Sequence, residues 1–191
     1  MKKILVVSLI SVFVVATEPN STNANMEVAK EGVKYIKMLG KALKQNVGKN
    51  LKEDPSGVQA AEFCSKKAKE IAKEVSKDFP KNIKVRRVAL KYRNENNKPD
   101  SVDKKVLEEM EAALKAQTLK KKPKVVDVNG TKRVYVPLIV EKACTKCHGD
   151  LDKMNPKVKD IISKAYPNDK AVGFKVGDLR GAVVAEIAPK N

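Results

Sequence analysis

The run Cys144-Thr145-Lys146-Cys147-His148 constrains this chain more than any other stretch. Its pattern, C-x-x-C-H, is the signature of c-type haem attachment. Two thiols at this spacing reach the two vinyl groups on one edge of a porphyrin and form thioethers. The histidine that follows then sits under the iron as an axial ligand. His148 is the only histidine of the chain, and two of its three cysteines lie in the motif. Other chemistries compete for the same residues. A zinc site would join Cys64, Cys144, Cys147 and His148, but the adjacency of Cys147 and His148 makes a shared tetrahedral ion awkward. A disulfide oxidoreductase would place its C-x-x-C at a helix start in a thioredoxin-like βαβ pattern, which is missing here.

The beginning of the chain bears on the same question. Lys2 and Lys3 precede Ile4–Ala16, a run that is apolar except for Ser8 and Ser11. Small-residue cleavage sites follow at Val14-Val15-Ala16 and Thr22-Asn23-Ala24. Residues 1–24 therefore read as a secretory signal peptide, cleaved after Ala16 or Ala24 and too short for a comfortable membrane span. Retention as an uncleaved signal anchor is the alternative, and the only membrane association expected. A periplasmic location suits the motif, because covalent haem attachment takes place outside the bacterial plasma membrane. It also leaves Cys64 as a thiol in an oxidising compartment that needs a role. Residues 25–191 suffice for a single domain with its own core.

Forty basic residues against 23 acidic ones give a formal charge of +17, almost all of it from lysine. Lys120-Lys121-Lys122-Pro123-Lys124 resembles a basic targeting patch. Export and an aromatic content of 4% argue against nucleic acid, which would want rings to stack on bases. What remains is a solvated lysine surface, or a field that steers the protein toward an acidic redox partner.

Periodicity orders the rest. Ala29, Val33, Ile36, Gly40, Leu43 and Val47 recur at helical steps and predict a long amphipathic helix over Met26–Val47. Asp54-Pro55 opens a second helix over Ser56–Lys77, with Ala61, Cys64, Ala68, Ile71 and Val75 on its inward stripe. On spacing alone Cys64 is a small core hydrophobe as readily as a ligand. Ile83, Val85, Val88, Leu90 and Tyr92 alternate with one change of phase, which predicts a strand with a bulge near Arg86-Arg87. A helix follows from Asp100 or Ser101. Then comes a hairpin of Val125–Val128 and Lys132–Val140 around Asn129-Gly130. Pro137 marks an edge or a change of partner in its second strand. The C-x-x-C-H run starts directly after this strand, which supports it on one side. A short helix over Pro156–Tyr166 and a buried strand over Gly181–Ile187 complete an α+β pattern.

Several stretches resemble the periplasmic c-type haem domains with a PAS-like fold, which occur alone or as sensor modules. They are Ala60-Ala61-Glu62-Phe63-Cys64, Val85 to Asn94 continuing to Asn97-Lys98-Pro99-Asp100, and Val136 to Glu141. Cys144 to Gly149, Tyr166 to Phe174 and Gly177 to Ala182 complete the set. The resemblance implies a PAS-like antiparallel sheet flanked by helices. It also implies one haem c attached at Cys144 and Cys147, ligated by His148 and, on the other face, by Cys64.

A thiolate favours ferric iron, so His/Cys ligation implies a low reduction potential. The rival methionines fit less well: Met154 lies too close to His148 in sequence to reach the opposite haem face, while Met110 and Met38 occupy core positions of their helices. Lys66 and Lys67 are near enough in sequence to favour a Cys64 thiolate. Arg93 and Arg180 are candidates for haem propionates; a salt bridge or backbone clamp within each loop is the alternative. The expectation is an electron carrier rather than an enzyme, since the one histidine is committed and a six-coordinate iron has no open position. The second reading is a haem-based redox or gas sensor that signals to a partner when carbon monoxide or nitric oxide displaces Cys64.

Overall fold

The computed structural model describes residues 21–120 and 122–190; the signal-peptide reading of residues 1–24 lies almost wholly outside them. The apolar stripe of the first segment produces a helix longer than its periodicity predicts, α1 (Ser21–Glu53). Among the described residues no helix is long and apolar enough to cross a membrane. Asp54 then turns the chain, its carboxylate accepting from the Ser56 and Gln59 amides at 3.0 and 2.9 Å. The expected single helix over Ser56–Lys77 is two, α2 (Val58–Lys66) and α3 (Ala68–Ser76), broken at Lys67.

Four strands form one antiparallel sheet in the order β1-β4-β3-β2, with β1 (Ile83–Val88), β2 (Lys124–Val128), β3 (Thr131–Ile139) and β4 (Leu179–Ile187). Asn129 and Gly130 both have positive φ, 52° and 82°, the geometry that a two-residue hairpin turn demands. Pro137 faces Ala182 on β4, while β2 ends its pairing at Tyr135. The missing N–H of Pro137 therefore falls where β3 has lost one neighbour.

Apolar alternation along β4 covers both faces of the sheet. Val183, Ala185 and Ile187 meet Tyr35, Ile36 and Leu39 of α1. Ala182 and Val184 meet Val106, Leu107 and Met110 of α4 (Ser101–Lys115). A helix therefore lies on each side of the sheet. Under α4 a single carboxylate, Asp103, is fully buried. It accepts a paired contact from Arg86 at 2.8 and 3.0 Å, the Tyr135 hydroxyl at 2.8 Å and the Asp100 amide at 3.1 Å. Glu186 and Arg133 complete this network.

The bulge is displaced from its expected position. β1 runs in unbroken register with β4 from Ile83 to Val88, with no bulge at Arg86-Arg87. The change of phase after Val88 arises because the chain leaves the sheet there, the Ala89 amide turning to the Asn97 carbonyl at 3.1 Å. The irregularity lies instead between β3 and β4, where Leu138 pairs with Gly181 and Ile139 with Leu179, so that Arg180 is the extra residue. Gly181 makes the bend possible: its φ is +149°, and a Cβ there would lie 2.3 Å from the Val88 carbonyl oxygen.

Candidate cofactor site

The motif is held from three directions. Past β3, a 3-10 turn (Lys142–Cys144) leads into a one-turn helix, α5 (Thr145–His148), which ends at Gly149. Residues 148–149 then lie against residues 173–174, through Phe174 N–H to the His148 carbonyl at 2.9 Å and Gly173 N–H to Gly149 at 2.8 Å. Lys146 reaches back to the Pro55 carbonyl at 2.5 Å, tying α5 to the turn that precedes α2. Cys147 packs against the cluster of Ala61, Met154, Val158 and Ile162, where α2 meets α6 (Pro156–Ala165).

His148 is oriented for ligation. Its Nδ1 lies 2.8 Å from the Ala171 carbonyl oxygen. A carbonyl can only accept, so Nδ1 carries the proton and Nε2 keeps its lone pair, the usual arrangement of a metal-binding histidine. Burial, with help from the Arg93 and Arg180 charges, holds the imidazole well below its ordinary pKa and keeps it neutral.

The three thiols are free. Burial pushes Cys147 up to about 11, with smaller contributions from Cys64 and Cys144. The mutual influence of Cys64 and Cys147 puts the cysteine of α2 in the same neighbourhood as the motif. Cys64 is reachable by solvent, yet burial still raises its thiol. Its neighbours on the inward stripe, Ala61 and Ala68, are buried in apolar contacts; Cys64 is not, so it is not the small core hydrophobe that spacing allowed. The charges that draw its thiol downward are Arg87 and Arg93. Lys66 extends along its own helix toward Glu62, 4.0 Å away.

Arg93 is fully engaged. It pairs with Asp169 at 2.9 Å and donates to the carbonyls of Cys147 at 2.6 Å and Ala171 at 3.3 Å. It thus clamps the last turn of the motif to the carbonyl that orients His148. Arg180 donates to the Lys91 carbonyl at 3.0 Å and stands 5.3 Å from the centre of the Phe174 ring, whose edge meets His148. Arg87, exposed at the end of β1, is a further charge that acts on Cys64, His148 and Arg180. Its only sequence signal is its place in line with Ile83 and Val85 at the end of β1.

Met154 and Met110 are buried in apolar clusters, and Met38 packs beside the α1 cluster. Among the described residues no three His, Cys, Asp or Glu side chains are grouped to hold a metal ion, so the four-ligand zinc site lacks its geometry. The donor set fits haem c: two free thiols of the motif, a neutral imidazole whose Nδ1 is tied to a carbonyl, and a third thiol, Cys64, open to solvent and near enough to act on Cys147.

A family model described as Tll0287-like matches residues 20–188. A solved structure, that of the cyanobacterial heme-protein Tll0287, superposes with a TM-score of 0.59 at 24% identity, over 91% of this chain and 99% of that one. No curated protein matches.

Proposed function

This chain belongs to the Tll0287-like family, and from that premise we propose that it is an exported, periplasmic mono-haem c-type protein that transfers electrons at low potential. The sheet with helices on both faces is read as PAS-like. The solved relative is a heme-protein, which supports the same cofactor here. The observation that carries the reading is the His148 ring, whose Nδ1 is tied to Ala171 and whose Nε2 is left free beside two motif thiols.

Each residue has a defined task in this reading. Cys144 and Cys147 would hold the haem through thioethers, each thiol adding its sulfur to one vinyl carbon and its proton to the other with no electrons exchanged. His148 and Cys64 would be the protein ligands of its iron. Arg93 holds the last turn of the motif against Asp169 and Ala171. Haem supplies an iron that cycles by one electron. With both axial positions filled by protein, no enzymatic reaction is proposed. The surplus of lysine suits an acidic partner protein, approached by steering that salt weakens.

A sensor is the second reading, and one observation favours it: Cys64 belongs to the short helix α2, which is separate from the element that bears Cys144–His148. Loss of Cys64 as a ligand would remove one link between the two elements, leaving Lys146 on the Pro55 carbonyl and Cys147 on Ala61. Carbon monoxide titration of the reduced protein separates the two. The carrier is expected to keep its Soret band over the mixing time while exchanging electrons rapidly with a soluble mediator. Prompt displacement by carbon monoxide would overturn the carrier in favour of the sensor.

A further inference from the structure

We propose that the corner of the molecule where α1 begins and the α4–β2 connection passes is a docking surface for an anionic lipid bilayer. The proposal rests on the export reading of residues 1–24 and is independent of the haem. It gives a task to the basic run Lys120–Lys124, which the haem reading leaves unused.

Two grooves meet at this corner. The first, of about 660 Å³, is lined by Met26, Ala29 and Val33 of α1 and, across from them, by Lys122, Pro123 and Val125. The three α1 residues recur at helical steps, so they present one apolar stripe along the first turns of the helix. Val33 and Val125 reach the core beneath, whereas Met26 is 50% exposed. The second groove, of about 310 Å³, lies on the α4 side among Met110, Ala113, Leu119 and Pro137. Lys120 borders it, and Lys122 borders both. The connection is therefore a basic ridge between two apolar hollows. Both of these lysines are exposed. Among the described residues neither has a carboxylate partner, while Lys124 is held by Glu109. Lys30, in an exposed pair with Glu27, adds a further ammonium beside the first groove. The acids of this part of α1, Glu27 and Glu31, line a different groove beside Tyr35.

Lysines beside open apolar surface match the two layers of a bilayer interface. Their ammonium groups meet lipid phosphates while the apolar side chains enter the acyl boundary. Each lysine held near an anionic surface strengthens binding roughly five-fold, and salt screens the attraction. An acidic soluble protein is the competing occupant, and two observations favour the bilayer. Met26 offers a long, half-exposed apolar side chain, which acyl chains accept and an acidic surface has no use for. The chain also enters the domain here: the apolar run ends at Ala16 and α1 begins at Ser21. An exported chain therefore presents this corner to the membrane as it emerges.

The test takes the exported chain from the periplasmic fraction and mixes it with vesicles of phosphatidylglycerol and phosphatidylcholine in equal parts, or of phosphatidylcholine alone. Sedimentation with the first and not the second is expected, with release by salt. Lys120→Gln combined with Lys122→Gln is expected to weaken binding by about 25-fold. Lys157→Gln combined with Lys159→Gln, an equal loss of charge on α6, is expected to change it little. The chain has no tryptophan, so Met26→Trp reports on the first groove, and its emission is expected to move to the blue on the anionic vesicles. Failure to sediment with anionic vesicles would overturn the docking surface and leave export standing. An equal loss in the α6 variant would overturn it too, as attraction by net charge alone. So would emission from position 26 that stays unmoved in the bound protein, or that is already blue-shifted without vesicles. Binding to polyglutamate in preference to the vesicles would overturn it in favour of an acidic protein. A chain found in the cytoplasmic fraction would overturn the export reading and the proposal with it.

Discussion

Cys64→Ala is expected to leave one haem per chain covalently bound, to abolish the spectral features of thiolate ligation, and to raise the reduction potential. The attachment thiols and His148 belong to the segment between β3 and α6, whereas Cys64 comes from α2. In the proposed site its removal would cut one bond to iron and leave the others. A thiolate is an anionic, electron-rich donor that stabilises the ferric state more than the ferrous. Axial ligands tune haem potentials over roughly 0.8 V, and losing a thiolate should use a clearly measurable part of that range. The variant should also admit carbon monoxide to the reduced iron, because alanine cannot fill the position. An unchanged spectrum and potential would show that Cys64 does not touch the iron.

Asp103→Ala is expected to be the most destabilising single substitution outside the haem site, at about 3–5 kcal/mol. Asp103 is fully buried and receives Arg86, Tyr135, Arg133 and the Asp100 amide. Truncation leaves the Arg86 fork with Glu186 alone and strands the Tyr135 hydroxyl between sheet and helix. It also removes half of the reciprocal cap that starts α4. Against a typical stability of about 5–15 kcal/mol the loss is large. Chemical denaturation of the haem-free chain measures it through the midpoint. The exposed pair of Glu27 and Lys30 is the control; Glu27→Gln should move the midpoint little, since exposed pairs contribute about 1 kcal/mol or less. A midpoint for Asp103→Ala within the scatter of that control would mean the buried network is dispensable.

Much of the architecture was legible because it depends on local chemistry. The Asn129-Gly130 turn, the Asp100 cap and the two-sided burial of β4 each follow from residues close together in the chain. The failures have particular causes. The phase change after Val88 reads as a bulge when only alternation is considered, but a strand leaving the sheet produces the same signal. The true bulge at Arg180 and Gly181 depends on pairing with Leu138 and Ile139, which alternation within one strand does not record. Helical spacing placed Cys64 on the inward stripe, yet spacing does not distinguish a position that meets the core from one left open to solvent. Arg93 drew notice as a propionate candidate because of its loop; its engagement by Asp169 and two backbone carbonyls is a long-range arrangement.

The central claim is that Cys144, Cys147 and His148 hold a covalent haem. Its most direct test is the visible spectrum of the full chain, matured in a host that attaches c-type haem and recorded with and without dithionite. A Soret band that shifts on reduction, and a haem that stays with the polypeptide through denaturing electrophoresis, are expected. Absence of a Soret band, or haem that separates from the denatured chain, would contradict it.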